Sequence, residues 1–108
     1  MTAKYTCIWE FHVRPEHIPE FIRHYESRGT WARLFSMAEG YLGTQLLRDR
    51  QDQSRFVTLD HWASESLYRE FRQRFQAGYT ALDRQCEGLT LSERQVGEFA
   101  EATDGSED

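Results

Sequence analysis

Four histidines, two cysteines and a run of arginines are the groups in this chain whose types invite a chemical reading. Glu10 and His12 are spaced so that an extended strand would place both on one face, and a carboxylate beside an imidazole is an elementary acid–base pair. His61, near the end of another extended run, would complete that pair or a metal site if the fold brought it to His12. No tight ligand spacing recurs, so no metal is expected, and histidines hydrogen-bonded at a rim are the plainer reading. His17 and His24 are expected on the solvated side of a helix. Arg69, Arg72 and Arg74, interleaved with Glu70 and Phe71, suggest a basic patch with an aromatic. Cys7 and Cys86 lie far apart without Cys-x-x-Cys spacing, so they read as small apolar residues of a reduced, cytoplasmic protein.

The rest of the chain limits these readings. Its 108 residues suit one domain, and 39% hydrophobic residues, with 14% aromatic, supply a core. The net charge of -5 belongs to one end: Glu98, Glu101, Asp104, Glu107 and Asp108 have no base among them, and the preceding residues balance. A balanced domain lacks the broad basic footprint of a nucleic-acid binder. No apolar run approaches the roughly 20 residues of a membrane span, and the N-terminus has no signal-peptide pattern. One domain is expected over residues 1–99, with an acidic, disordered tail over 100–108.

Elements follow from periodicity. Tyr5 to Val13 alternates with period two, a strand with one buried face. Ile18, Phe21, Ile22 and Tyr25 recur as on a helix, and Trp31, Leu34, Phe35 and Ala38 form a shorter stripe ending at Gly40, suited to a left-handed turn. Tyr41 to Arg50 and Arg55 to Trp62 read as a hairpin. Ser64 caps a helix bearing Leu67, Phe71 and Phe75, with a break expected at Gly78 before Tyr79, Leu82 and Cys86 continue the stripe. Glu93 to Phe99 is the last strand. This order predicts an α+β, ferredoxin-like fold of split β-α-β halves, with two long helices on one face of a four-stranded antiparallel sheet. Strands one and three are expected side by side and parallel, bringing His12 and His61 together. The third strand is apolar on both faces, Phe56 and Trp62 against Val57 and Leu59, so a second copy of the chain is expected over the bare face, giving a homodimer.

In this element order, Trp9-Glu10-Phe11-x-Val13-Arg14-Pro15, Trp31-Ala32-Arg33-Leu34-Phe35, Gly40-Tyr41-Leu42-Gly43-Thr44 and Leu46-Leu47-Arg48-Asp49 resemble the antibiotic biosynthesis monooxygenase family. So does the strand ending in Trp62 before Ser64-Glu65-Ser66. The resemblance covers about residues 4 to 99 and implies a dimeric α+β barrel. It embraces cofactor-independent oxygenases that turn polyphenols into quinones, and haem-degrading enzymes. The haem branch uses a histidine on the second long helix and an asparagine on the first strand. All four histidines here precede that helix and Trp9 stands near the asparagine's place, so no haem or other cofactor is expected.

The resemblance implies a site in which Trp62 matches a strand-end tryptophan, Thr58 stands where the oxygenases carry asparagine, and Arg84 lies near a helix arginine. Oxygenation without metal or flavin needs an electron-rich substrate whose phenol loses a proton, so that the phenolate can pass an electron to dioxygen. The protein supplies an apolar slot, a donor for the phenolate oxygen and a base. Trp9, Phe11, Phe56 and Trp62 are expected to line the slot, with Phe71, Phe75 and Tyr79 as core or wall and Arg84 or His61 assisting proton movement. Trp62, Thr58, Trp9 and Arg84 should then border one cavity of a few hundred cubic ångström. The expected function is oxidation of a small phenolic or quinol-type aromatic; the alternative is a non-catalytic dimeric domain that binds a small molecule.

Overall fold

Alternate residues of the first strand are buried, and this pattern organises the molecule. In the computed structural model, which describes residues 3–103, β1 (Tyr5–Val13) buries Tyr5, Cys7, Phe11 and Val13, while Thr6, Ile8, Glu10 and His12 belong to the opposite face. β2 (Tyr41–Arg48), β3 (Arg55–Trp62) and β4 (Thr90–Ala100) complete a four-stranded sheet of order β2-β3-β1-β4, antiparallel throughout. Helices α1 (Ile18–Tyr25), α2 (Thr30–Phe35), α3 (Glu65–Arg74) and α4 (Gln76–Cys86) fill the connections. The result is the ferredoxin-like α+β fold. No helix among the described residues is long and apolar enough to cross a membrane.

β1 and β3 keep the bounds that periodicity predicts. β4 starts earlier, at Thr90, and reaches Ala100, after which the Glu101 amide still donates to Lys4 O at 2.8 Å. The expected disordered tail lies, from residue 104 on, outside the described residues. The helical stripe breaks at Phe75 (φ -112°, ψ 24°), the shared cap of α3 and α4, and not at Gly78. The turn there keeps the Phe75 ring stacked on Phe71 at 5.4 Å. Ser64 caps α3 as expected, accepting from the Leu67 amide at 3.2 Å.

β1 and β3 are antiparallel, with Thr6 opposite His61 and His12 opposite Arg55. This overturns the expected parallel pairing: a split β-α-β unit makes its two outer strands parallel, and the strand slipped between them must run the other way. His12 and His61 therefore lie about 20 Å apart along the sheet and form no pair. His24 is buried rather than solvated, with Nδ1 2.9 Å from Thr30 Oγ1. That contact ties the end of α1 to the start of α2, where the chain turns so closely that a Cβ on Gly29 would sit 2.6 Å from Arg23 O. Gly40 takes the expected left-handed conformation (φ 93°).

One sheet face packs on the helices through Phe11, Phe56 and Trp62, which meet rings of α1, α2 and α3. The other has no covering element among the described residues. It carries Ile8, Val57 and Leu59, half-buried, and Leu47 and Phe99, which are 50% and 47% exposed. Glu10 sits among them between Arg55 (2.5 Å) and Arg94 (2.9 Å), whose hydrogen bonds hold its carboxyl below the usual range.

Candidate functional site

Between the helix-facing side of the sheet and the helices lies a cavity of about 380 Å³, within the range of small-molecule sites. All eight elements contribute to its wall. Trp9 and Phe11 come from β1, Thr44 from β2, Thr58 and Asp60 from β3, and Glu93 and Gln95 from β4. Tyr25 comes from α1, Trp31 and Phe35 from α2, Arg72 from α3, and Tyr79 and Asp83 from α4.

The aromatic part of the wall follows from strand and helix periods. Trp9 and Phe11, two residues apart on β1, project the same way and lie near-parallel, with ring centroids 6.4 Å apart. Phe11 meets Tyr25 at 4.9 Å, and Trp31 meets Tyr79 edge-on at 5.0 Å. These aromatic faces suit a flat ring.

The polar part centres on Asp60. Phe56, Thr58, Asp60 and Trp62 are the inward residues of β3, all buried, so Asp60 enters a largely aromatic environment. Thr44 is its register partner on β2, and Thr44 Oγ1 donates to Asp60 Oδ1 at 2.7 Å. With that hydrogen committed, Thr44 Oγ1 accepts from the Tyr41 hydroxyl at 2.6 Å. Burial pushes the Asp60 carboxyl up to about 6, against the opposing pull of the Thr44 bond. Burial likewise raises the hydroxyls of Tyr25 and Tyr79, keeping both protonated near neutral pH. Arg72 is the cation of the wall; Nη1 donates to Tyr68 OH at 3.0 Å and the guanidinium lies 4.0 Å from the Tyr79 ring centroid. Burial and the neighbouring carboxylates of Asp83 and Glu87 raise Glu93.

Trp9, Phe11, Thr58 and Tyr79 thus stand where sequence places them, around one cavity. Six other predicted site residues stand elsewhere. Trp62 is wholly buried beneath the wall, 5.1 to 5.8 Å from the rings of Phe35, Tyr41, Tyr68 and Phe71, with Nε1 unpartnered. Phe56 and Phe71 are core, and Phe75 is half-buried on Phe71. Arg84 is exposed on α4, outside the wall to which its neighbour Asp83 belongs. His61, being odd-numbered on β3, lies on the opposite sheet face, with Nδ1 2.9 Å from Thr6 Oγ1 and Nε2 2.9 Å from Gln45 Oε1. The expectation that Trp62, Thr58, Trp9 and Arg84 share one cavity therefore fails at Trp62 and Arg84.

Thr44, Asp60, Arg72, Asp83, Glu93 and Gln95 are the cavity's polar residues that sequence reasoning missed. The signal for Asp60 was its phase, since it alternates with Phe56, Thr58 and Trp62 on a face already assigned inward. Of the suspected basic patch, Arg69 pairs with Glu98 (2.6 Å) and Glu65 (3.2 Å), Arg74 lies 3.8 Å from Glu70, and Arg72 turns to the cavity. Among the described residues no group of three or more His, Cys, Asp or Glu could hold a metal ion.

The family model described as antibiotic biosynthesis monooxygenase matches residues 4–81. No curated protein matches the chain. Among solved structures, SnoaB, a cofactor-independent oxygenase from Streptomyces nogalater, is 19% identical over 97% of this chain and 99% of its own, with a TM-score of 0.71. PA3566 from Pseudomonas aeruginosa is 17% identical over 95% of this chain and 98% of its own, with a TM-score of 0.68. At these identities the structural likeness speaks for the fold.

Proposed function

The chain belongs to the antibiotic biosynthesis monooxygenase family, and from that premise we propose that it oxidises a small phenolic or quinol-type aromatic with dioxygen, without metal or flavin. The observation that carries this reading is the aromatic cavity closing on one buried carboxylate, Asp60. A phenol becomes a quinone when one atom of dioxygen forms the new carbonyl and the other leaves as water, taking the hydroxyl hydrogen and the hydrogen of the oxidised carbon. Trp9 and Phe11 stack on the ring, and Thr58, with one hydroxyl hydrogen, donates to the phenolate oxygen. Trp62 supports the wall from behind.

Oxygen uptake with an anthrone or a hydroquinone tests the reading. We expect uptake above the protein-free rate, and a loss of about 10-fold in Thr58→Val, the worth of one hydrogen bond. Equal rates with and without protein would overturn the reading for those substrates. The burial of Trp62 away from the cavity and the threonine at position 58 favour a binding-only domain instead. Its mark would be quenching of tryptophan fluorescence by the same compounds without oxygen consumption.

The proposed working form is a homodimer that covers the sheet face opposite the cavity. Support comes from exposed Leu47 and Phe99 on that face, flanking partly buried Ile8, Val57 and Leu59. Sedimentation at micromolar concentration should give twice the chain mass, and Leu47→Arg should give the single-chain mass. A monomeric wild type would overturn the dimer.

A further inference from the structure

We propose that the cavity takes its phenol protonated and that Asp60 is the base that removes the proton inside it, with Thr44 and Tyr41 as positioning residues for the carboxylate. This rests on the oxygenase reading above and adds the protonation state of the substrate and the residue that changes it. The first support is charge. Asp60, Asp83 and Glu93 border the cavity against one cation, Arg72, already engaged by Tyr68 and by the Tyr79 ring. A phenolate arriving from solution meets three carboxylates and loses its hydration shell, whereas the neutral phenol meets aromatic faces. The anion must then be made after entry.

The second support is geometry. Asp60 borders the cavity with Oδ1 fixed by Thr44 at 2.7 Å, and Thr44 is itself fixed by Tyr41 at 2.6 Å. The ionisable groups around it and along the cavity are Cys7 opposite on β1, Tyr25 on α1, Tyr41 on β2, Arg72 on α3, Tyr79 and Asp83 on α4, and Glu93 on β4. Burial lifts Cys7 to about 12 and raises Tyr41 and Tyr79, so none of these three is a base at neutral pH. Asp60, near 6, is ionised at neutral pH yet basic enough to accept a proton.

The step balances. The phenol O–H bond breaks, its proton goes to the Asp60 carboxylate, and the electron pair stays on oxygen. The phenolate gives one electron to dioxygen, and the two radicals join at carbon as a peroxide. Asp60 returns its proton to the peroxide, whose O–O bond breaks as the carbon loses its hydrogen. Water leaves with both hydrogens, and Asp60 is a carboxylate again.

The test is oxygen uptake by the full chain across pH with phenols of graded acidity, joined to binding of 4-nitrophenol read by its absorbance. Wild type should show kcat/KM rising with pH through an apparent pKa near 6. Asp60→Asn should lose about 100-fold at neutral pH and lose that limb, with the defect shrinking as the phenol becomes more acidic. Thr44→Val, which deletes the bond favouring the carboxylate, should move the limb to higher pH. Wild type should bind neutral 4-nitrophenol about 10-fold more tightly than its anion, and Asp60→Asn, with Asp83 and Glu93 still in place, should narrow that preference. A limb retained in Asp60→Asn, or a defect uniform across the series, overturns the base while leaving the oxygenase reading standing. Equal wild-type binding of both forms overturns entry as the neutral phenol. Discrimination without oxygen uptake from any phenol overturns the base together with the oxygenase reading.

Discussion

At pH 8, Asp60→Asn is expected to be more stable than wild type by about 1 to 3 kcal/mol in urea unfolding while being the poorer enzyme. The carboxyl is raised from an ordinary 3.8 to about 6 by burial, so the folded chain binds this proton more tightly than the unfolded chain. The sign follows from linkage. Below about 4 both states hold the proton and the group contributes its full stabilisation; as pH rises through 6 that contribution is lost, and above it the buried charge is a standing cost. About two units at 1.36 kcal/mol each set the upper end of the range. Asparagine keeps an oxygen for the Thr44 hydrogen bond and removes the charge. The gap between the two proteins should narrow as pH falls through 6 and close below about 4, where both folded and unfolded wild type hold the proton. A variant less stable than wild type at pH 8 would show that the carboxylate is compensated by a partner the geometry does not reveal. Gain in stability with loss of turnover is how a group kept for chemistry behaves.

Trp62→Ala is expected to cost about 3 to 5 kcal/mol, a large share of the 5 to 15 typical of a domain. The indole is wholly buried among Phe35, Tyr41, Tyr68 and Phe71, and its removal leaves a void that rings held by β2, α2 and α3 cannot fill. Trp62→Phe is the informative companion. It loses some volume, but it also removes a buried N–H without a hydrogen-bond partner, and the two effects oppose, giving a net change within about 1 kcal/mol. Ligand affinity in Trp62→Phe should match wild type, because the side chain lies behind the wall. A tenfold loss of affinity or of kcat at unchanged stability would restore the role at the substrate that its match to the strand-end tryptophan implied.

Much of the fold was legible because its strands alternate cleanly. The bounds of β1 and β3 follow from Tyr5, Cys7, Phe11 and Val13, and from Phe56 and Trp62, whose spacing leaves one choice of inward face. Strand direction is not legible in this way, because alternation is identical in parallel and antiparallel pairs; only connectivity separates them, and the antiparallel pairing of β1 and β3 keeps His12 and His61 apart. At the site, aromatic residues on inward phases were found where the phase was strong: Trp9, Phe11 and Tyr79. Whether an inward ring becomes wall or core depends on depth, which periodicity does not encode; Phe56 and Trp62, expected at the slot, are core, and so is Phe71, which periodicity leaves open between the two. Asp60 is marked as inward by its phase, but an acid on a strand reads as surface until its neighbours are seen to be inward. The resemblance reaches Arg84 along a helix without an anchoring feature, while Arg72, one of three closely spaced arginines, supplies the cavity's guanidinium.

All four strands and all four helices contribute to the cavity wall, so the pocket exists only when the whole chain is folded. Occupancy is then coupled to global unfolding rather than to the opening of one loop. A ligand at one hundred times its dissociation constant adds about 2.7 kcal/mol to the stability of every element at once, and amide exchange should slow together in β1, β3 and β4. A ligand held there would act as part of the core.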